Sequence, residues 1–308
     1  MSTFADRLCS AILRVRNCAC IGLDPHLPSF PPEAFREVGT DLPSTLEEAA
    51  NFVTVLNKRL LATLKDSVPA VKLQSAFYEA LGVDGIKALM DTVQEAKKGG
   101  FIVIIDSKRN DISNTASAYA QAYLGRTPLR DEIELPVFDC DAITVTPYLG
   151  TDSLEPFVSA CEDYNKGIFV VVRSSNPSGE QIQDLNSESG TVSQVVAEMV
   201  QELHRRHTTR STYGYGPIGV VLGATVGDIG QKLRALVPQS IVLVPGYGAQ
   251  GGTSSSSLQY ADSRGLGALI SSSRGILYGS LDKGSYISGV KRRVNEMIGN
   301  LTVPNRRP

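Results

Sequence analysis

Phe101-Ile-Val-Ile-Ile-Asp106-Ser-Lys108-Arg-Asn-Asp111-Ile-Ser-Asn-Thr115 is the stretch of sequence from which the fold can be worked out. Its first five residues are apolar and four of them are β-branched, a run typical of a buried strand. Residues two apart share a face of an extended segment, so Asp106 and Lys108 are predicted to project together, whereas Asp111 points elsewhere. A paired carboxylate and ammonium can do proton chemistry, but a surface salt bridge at a turn explains the same triplet.

Seven further short apolar segments repeat the pattern, and helical spacing of apolar residues separates nearly all of them. The predicted strands are 19–23, 68–74, 101–105, 142–146, 167–173, 218–222, 241–244 and 268–271. The predicted helices are 4–16, 46–64, 78–97, 113–124, 154–164, 192–204, 226–236 and 286–298, with a loop at 25–32.

Eight strands alternating with helices are the count and order of a TIM (β/α)8 barrel. An open doubly wound sheet is the alternative, but no Gly-x-Gly-x-x-Gly follows the first strand. We therefore predict a single α/β domain, a TIM barrel over residues 1–299, followed by a polar tail at 300–308.

The composition describes a soluble globular protein with a sizeable core: 308 residues, 42% hydrophobic and 20% charged, with a net charge of −2. There is no basic field for nucleic acid, no apolar run near the roughly 18 residues that span a bilayer, and no signal peptide. The five cysteines show no disulfide or zinc spacing. We therefore expect a cytoplasmic protein whose partners include neither nucleic acid nor membrane.

The barrel prediction brings four charged residues to one rim. TIM-barrel active sites lie at the carboxyl ends of the strands, where the sequence has Asp24, Lys72, Asp106 and Lys108. Each charge then has an opposite neighbour, and such a network is costly to assemble without a purpose. This placement favours chemistry over a surface salt bridge.

The histidines are not part of that network. His26, His204 and His207 fall in predicted loops or at helix ends, and we interpret them as solvated surface residues. No grouping of His, Cys and carboxylate residues has a metal-site spacing, so no metal is expected.

A second group of residues follows strands seven and eight, where TIM barrels most often hold a phosphate. The segments are Pro245-Gly-Tyr-Gly-Ala-Gln250-Gly-Gly and Ser271-Ser-Ser273-Arg274-Gly. Glycines let backbone N–H groups approach an anion, and Arg274 offers a two-point contact. The alternative is that glycines and serines only make turns. The run 253–257 and the loop around Ser178 are expected to close on a ligand.

Together these motifs resemble the orotidine 5′-phosphate decarboxylase family. The resemblance rests on Asp106-x-Lys108-x-x-Asp111-Ile112 with Asp24 and Lys72 upstream, and on both phosphate segments, in the family's order over about residues 22–278. The amino-acid sequence at 72–79 and 106–112 is similar to that of the family's second subgroup. No fused phosphoribosyltransferase domain is visible, which implies a monofunctional enzyme.

The resemblance implies a carbon–carbon lyase of de novo pyrimidine synthesis. It would convert orotidine 5′-monophosphate to uridine 5′-monophosphate and CO2 without metal or cofactor. Lys108 would donate a proton to C6 and Asp106 would flank the substrate carboxylate. Asp111, Ile112 and Thr115 would reach the site from the partner subunit of a homodimer.

The resemblance also implies the binding roles. Asp24 and Lys72 would hold the ribose hydroxyls and orient Lys108, and Ser175 would recognise the pyrimidine edge. Gln250 and Arg274 would bind the phosphate. The remaining implied substrate contacts are Gln74, Pro245 and Ser273.

Two alternatives stay open from the sequence. A magnesium-dependent sugar-phosphate decarboxylase or synthase shares the Asp-x-Lys-x-x-Asp element, although Leu73 stands where an extra acid would be expected. A non-catalytic sensor of nucleotide phosphates would account for Gly248, Gln250 and Arg274 but not for the charge network. The basic segment 205–216 has no role that the sequence assigns.

Overall fold

A computed structural model of the chain describes residues 2–207, 211–248, 250–279 and 285–301. Eight parallel strands pair in chain order and the last pairs with the first, so the sheet is a closed barrel and the TIM-barrel prediction is confirmed. The strands are β1 (Ala19–Gly22), β2 (Ala70–Gln74), β3 (Ile102–Arg109), β4 (Ala142–Val145), β5 (Gly167–Arg173), β6 (Ile218–Leu222), β7 (Val242–Val244) and β8 (Ala268–Ser272).

Helices surround the barrel in the described part of the chain. They are α1 (Phe4–Val15), α2 (Pro32–Val38), α3 (Leu46–Leu64), α4 (Ser75–Glu79), α5 (Gly82–Lys98), α6 (Ser113–Tyr123), α7 (Glu155–Tyr164), α8 (Glu180–Gln183), α9 (Val192–Arg206), α10 (Asp228–Leu236), α11 (Ser254–Leu258), α12 (Arg274–Leu277) and α13 (Tyr286–Asn300). None of these described helices is long and apolar enough to cross a membrane.

The predicted helix at 46–64 matches α3, which begins at a capping box between Thr45 and Glu48. The predicted helix at 78–97 is wrong in its start, since the structure has two helices, α4 and α5, from Ser75 onward. The helix α2 was not predicted, because its sequence is short and follows prolines that also mark loops.

Helix α1 closes the amino-terminal end of the barrel. Phe4, Leu8 and Ile12 lie on its buried face, and the Phe4 ring packs edge-to-face against Phe169 with centroids 6.1 Å apart. Gly167, at the start of β5, makes room for this ring, since an added Cβ would lie 2.3 Å from it. The amino end is therefore filled, and the cavity of the barrel lies at its carboxyl end.

The described part of the basic segment 205–216 is fastened to α1. The buried Asp6 carboxylate accepts hydrogen bonds from Ser211 Oγ (3.0 Å) and Thr212 N (2.9 Å). This segment therefore packs at the amino end of the barrel, while residues 208–210 lie outside the described chain. Of the predicted polar tail, Asn300 ends α13, Leu301 is buried, and residues 302–308 also lie outside the described chain.

His204 corrects the interpretation of the histidines as surface residues. Its ring is buried on the inner face of α9, with Nε2 2.9 Å from Ile218 O and 3.0 Å from Ser240 Oγ. Burial lowers the pKa of this ring to about 4, so it is neutral at pH 7. The helical spacing with Val196 and Val200 places it on the packed face of α9, a signal that its position near a helix end concealed.

The buried, neutral His204 should make the fold less stable as the pH falls, and replacing it should reduce this loss. Its folded pKa lies below the unfolded value of 6.5, so protonation favours the unfolded chain and stability falls as the pH drops below 6.5. Between pH 7 and pH 5, His204→Gln should lose about 2 kcal/mol less free energy of unfolding than the wild type. Urea unfolding at the two pH values measures this, with the exposed His26→Gln as control; equal losses in wild type and His204→Gln would refute the assignment.

Candidate active site

A cavity of about 710 Å³ opens at the carboxyl ends of the strands. Ten of the thirteen predicted site residues line it. They are Asp24, Lys72, Gln74, Asp106, Lys108, Ser175, Pro245, Gln250, Ser273 and Arg274.

The charged residues of the rim form one connected network. Lys72 Nζ lies 3.0 Å from Asp106 Oδ2 and 3.7 Å from Asp24 Oδ1, and Lys108 Nζ lies 2.6 Å from Asp106 Oδ1. Lys72 and Asp106 are buried, whereas the Lys108 side chain is 47% exposed. Lys108 is therefore the charge that this network presents to the cavity.

The network fixes the charge of its buried members. Burial alone would lower the pKa of Lys72, but the carboxylates of Asp106 and Asp24 outweigh it and raise that pKa. Burial alone would raise the pKa of Asp106, but Lys72 and Lys108 outweigh it and hold that pKa well below its ordinary range. At neutral pH Asp106 is an anion held between two cations.

An irregularity in β3 sets the direction of Lys108. Ile105 pairs with Ile143 and Arg109 with Val145, so three residues of β3 face the single residue Thr144 of β4. Lys108 adopts a left-handed backbone conformation with φ of +48°, which a side chain other than glycine adopts at some cost. The sequence predicted a strand ending at 105 and gave no sign of this bulge.

Thr144 stabilises the irregular backbone and was not predicted as a site residue. Its Oγ1 accepts a hydrogen bond from Lys108 N (2.9 Å) and donates one to Asp106 Oδ1 (2.8 Å). The signal available in the sequence was a lone hydroxyl in an otherwise apolar strand, next to the strand that carries Asp106.

Gln74 holds the two carboxylates, and Tyr278 holds the backbone beside Asp24. Gln74 Nε2 donates to Asp106 Oδ2 (3.1 Å), and Gln74 N donates to Asp24 Oδ1 (3.2 Å). The Tyr278 hydroxyl donates to Asp24 O and accepts from His26 N (2.7 Å). Tyr278 and His26 line the cavity, yet sequence analysis missed both because their contacts join segments about 250 residues apart.

The opposite wall is a tight glycine turn beside Arg274. Gly246, Gly248 and Gly251 have positive φ values of +96°, +71° and +89°, which glycine alone adopts without strain. Gly248 N donates to Gly252 O (2.9 Å), which closes the turn. The N–H groups of Gly251 and Gly252 likewise donate within the turn, so the Arg274 guanidinium is the group of this wall that is suited to an anion.

Ser175 ties three loops together at the cavity wall. Its Oγ donates to Gln250 Oε1 (2.6 Å), and Thr225 Oγ1 donates to Ser175 O (3.0 Å). Gly223 lies so close that an added Cβ would stand 2.7 Å from Ser175 Cα. The loops after β5, β6 and β7 therefore meet at this serine.

Three predicted residues do not line the cavity of their own chain. Asp111, Ile112 and Thr115 lie at the start of α6, where Asp111 Oδ1 accepts from Ile112 N (2.7 Å) and the Ile112 side chain is exposed. In the described residues no group of three His, Cys, Asp or Glu side chains is arranged to hold a metal ion.

Removing Lys72 should destabilise the fold, because the buried Asp106 carboxylate loses one of its two cations. Lys72→Met should lower the free energy of unfolding by about 3 kcal/mol, because Asp106 stays buried with less countercharge. Lys72→Met combined with Asp106→Asn should recover part of this loss, as measured by urea unfolding.

The matched control for this experiment is Lys97→Met. Lys97 pairs with Asp139, but both side chains are about a third or more exposed, so its loss should cost less than about 1 kcal/mol. Equal losses for the two lysines would show that the buried network does not stabilise charge in the way described.

Known proteins resemble this chain over nearly its whole length. The model of the orotidine 5′-phosphate decarboxylase / HUMPS family matches residues 20–283. An orotidine 5′-phosphate decarboxylase of Rhodopirellula baltica is 43% identical over 278 residues, covering 90% of this chain and 89% of that protein. One of Caldicellulosiruptor saccharolyticus is 35% identical over 307 residues, covering 97% of this chain and 100% of that protein.

Solved structures show the same fold. The OMP decarboxylase of Leishmania donovani superposes with a TM-score of 0.70 at 27% identity, covering 97% of this chain and 98% of that chain. The orotidine 5′-monophosphate decarboxylase of Plasmodium berghei superposes with a TM-score of 0.77 at 20% identity, covering 96% and 98% of the two chains, a likeness of fold alone.

Proposed function

The chain belongs to the orotidine 5′-phosphate decarboxylase / HUMPS family, and we propose that it converts orotidine 5′-monophosphate to uridine 5′-monophosphate and CO2. One observation carries this proposal. A half-exposed ammonium, Lys108, stands 2.6 Å from a buried, ionised carboxylate, Asp106, across the cavity from a glycine turn and an arginine suited to phosphate.

The network supplies the chemistry through charge. The bond between C6 and the carboxylate carbon breaks, its electron pair stays on C6, and CO2 leaves as a neutral molecule. The Asp106 carboxylate lies beside the substrate carboxylate, and their repulsion disappears when CO2 departs. The Lys108 ammonium favours the negative charge that develops on C6, gives C6 its proton, and regains a proton from water.

The other residues of the rim keep this pair in place. Lys72 and Thr144 hold Asp106 ionised and oriented, so its charge is present before the substrate arrives. Asp24 and Lys72 bind the ribose hydroxyls in this proposal, and Gln74 lies between the two carboxylates that it contacts.

The loops on the far wall bind the two ends of the nucleotide. Gln250 and Arg274 bind the phosphate, with Pro245 and Ser273 beside them, and Ser175 binds the edge of the pyrimidine. The Ser175–Gln250 hydrogen bond joins the pyrimidine loop to the phosphate loop. The segments around Ser178 and Ser254 close over the bound nucleotide from these two loops.

A homodimer completes the site. Asp111, Ile112 and Thr115 lie together outside their own cavity, which supports a role for them in the site of a neighbouring subunit. Ile112 is itself exposed, and the loop after β4 adds the exposed side chains of Tyr148 and Leu149. Asn110 Nδ2 donates to Thr146 O, which holds that loop beside this segment. Burying these side chains against a second copy would remove apolar surface from water.

Replacing Lys108 tests the chemical role. Lys108→Ala should lower turnover of orotidine 5′-monophosphate at least about 10³-fold, because the proton donor is lost while the cavity remains. The fall in substrate absorbance measures turnover, with Lys97→Ala as the control at the opposite end of the barrel.

The same assay separates the magnesium-dependent alternative. Turnover by the wild type should be unchanged by EDTA. A wild type that needs magnesium, or a Lys108→Ala variant with normal turnover, would refute the proposed function.

Mixing two inactive variants tests the shared site. Lys108→Ala and Asp111→Ala should each be inactive, but a mixed dimer holds one site with both native residues. Refolding the two together should restore up to about a quarter of wild-type turnover, since half the dimers are mixed and half their sites are intact. No recovery, with dimers shown to exchange by mass, would place Asp111 outside the partner's site.

A further inference from the structure

Arg173, the last residue of β5, makes contacts that the proposed chemistry does not use. Its Nε donates to Asp184 Oδ1 and its Nη2 to Asp184 Oδ2, both at 2.9 Å, and its Nη1 donates to Ser174 O at 2.8 Å. The Arg173 side chain is only 10% exposed. A two-point guanidinium–carboxylate pair of this kind fixes distance and orientation together.

A bulge in β5 directs Arg173 out of the catalytic cavity. Val171 pairs with Val221 and Arg173 pairs with Leu222, so Val172 is an extra residue in β5. Val171 lines the catalytic cavity, and without the bulge Arg173 would point to the same face. Arg173 instead lines a second cavity of about 560 Å³, which adjoins the catalytic cavity at Ser175, Gln250 and Arg274.

The ion pair closes the loop after β5 into a ring. Asp184 directly follows α8, so the pair joins the two ends of the segment 174–183. Within the ring, Gln183 Oε1 accepts from Ser174 N (2.9 Å), and Ser174 Oγ donates to Asn176 Oδ1 (2.7 Å). Gly179 leaves room for the guanidinium, since an added Cβ would lie 2.5 Å from Arg173 Nη1.

Ser175 is carried on this ring. Its neighbours Ser174 and Asn176 are both held within the ring, and its own Oγ lies 2.6 Å from Gln250 Oε1. A hydrogen bond of this length tolerates little displacement of the backbone that bears the hydroxyl. The place of Ser175 therefore depends on the ends of the ring staying together.

We propose that Arg173 is a positioning residue that sets Ser175 for the pyrimidine of the substrate through its two-point pair with Asp184. This inference rests on the proposed function, because Ser175 is read as a contact to the base. Arg173 does not line the catalytic cavity, and its hydrogen bonds go to Asp184 and Ser174 and not to the charged network at Lys108. Its effect is on binding of the base end and not on the proton transfer.

Arg173→Lys and Asp184→Asn are the informative variants. Lysine keeps the charge but loses the two-point contact, and asparagine keeps the shape of Asp184 but loses its charge. Each should raise the KM for orotidine 5′-monophosphate about tenfold and change kcat less than about threefold, because a contact made in ground and transition states alike is weakened.

A double-mutant cycle with Ser175→Ala tests the route of the effect. In the Ser175→Ala background, Arg173→Lys should change kcat/KM less than about twofold, because the hydroxyl that it positions is gone. Arg7→Lys is the matched control, since Arg7 pairs with the buried Asp141 at the amino end of the barrel. It should shift the melting temperature and leave kcat/KM within about twofold.

Each other result overturns the inference. Equal losses of kcat/KM in both backgrounds would show that Arg173 acts on the whole fold and not through Ser175, and unchanged kinetics would show no positioning role. If Arg173→Lys does not fold, Asp184→Asn is carried through the same cycle. A wild type without turnover refutes the proposed function itself, whereas a normal wild type with an uncoupled cycle refutes only the role of Arg173.

Discussion

The site depends on keeping one buried carboxylate ionised. Asp106 accepts from four donors, with Lys108 and Thr144 on Oδ1 and Lys72 and Gln74 on Oδ2. Burying a carboxylate is costly unless its charge is paired and its oxygens are hydrogen-bonded. With every oxygen satisfied and a cation on each side, Asp106 keeps its charge in a place where a neutral acid would otherwise be favoured.

The backbone around Asp106 is shaped to serve that requirement. In a regular strand the N–H groups of β3 would bond to the backbone of β4. In the bulge, Lys108 N instead donates to the Thr144 hydroxyl. The three residues 106–108 can therefore lie opposite the single residue Thr144. The left-handed conformation of Lys108 is a local cost that the surrounding hydrogen bonds and ion pairs offset. Gly22 makes a similar allowance at β1, where an added Cβ would overlap Ser273 Oγ at 1.8 Å.

The sequence predicted the features that have a local signature. Continuous apolar runs predicted the barrel strands, and the period of two predicted that Asp106 and Lys108 lie together, although the bulge and not regular alternation brings them there. Long-range contacts have no such signature. The Tyr278–Asp24 hydrogen bond, the turn of Lys108 by the bulge and the burial of His204 depend on which strands and helices become neighbours, which residue spacing does not reveal.

The two halves of the cavity have different chemistry, and this division explains how binding can promote the reaction. Strands β1 to β3 contribute fixed charges that are paired before any substrate enters, and the chain after β5, β7 and β8 contributes loops that meet at Ser175, Gln250 and Arg274. In the proposed reaction, a fixed anion at Asp106 opposes entry of the substrate carboxylate, so the proposed contacts to phosphate and base must hold the substrate against it. The attraction gained at one wall thereby offsets the repulsion at the other, and that repulsion ends only when CO2 has left.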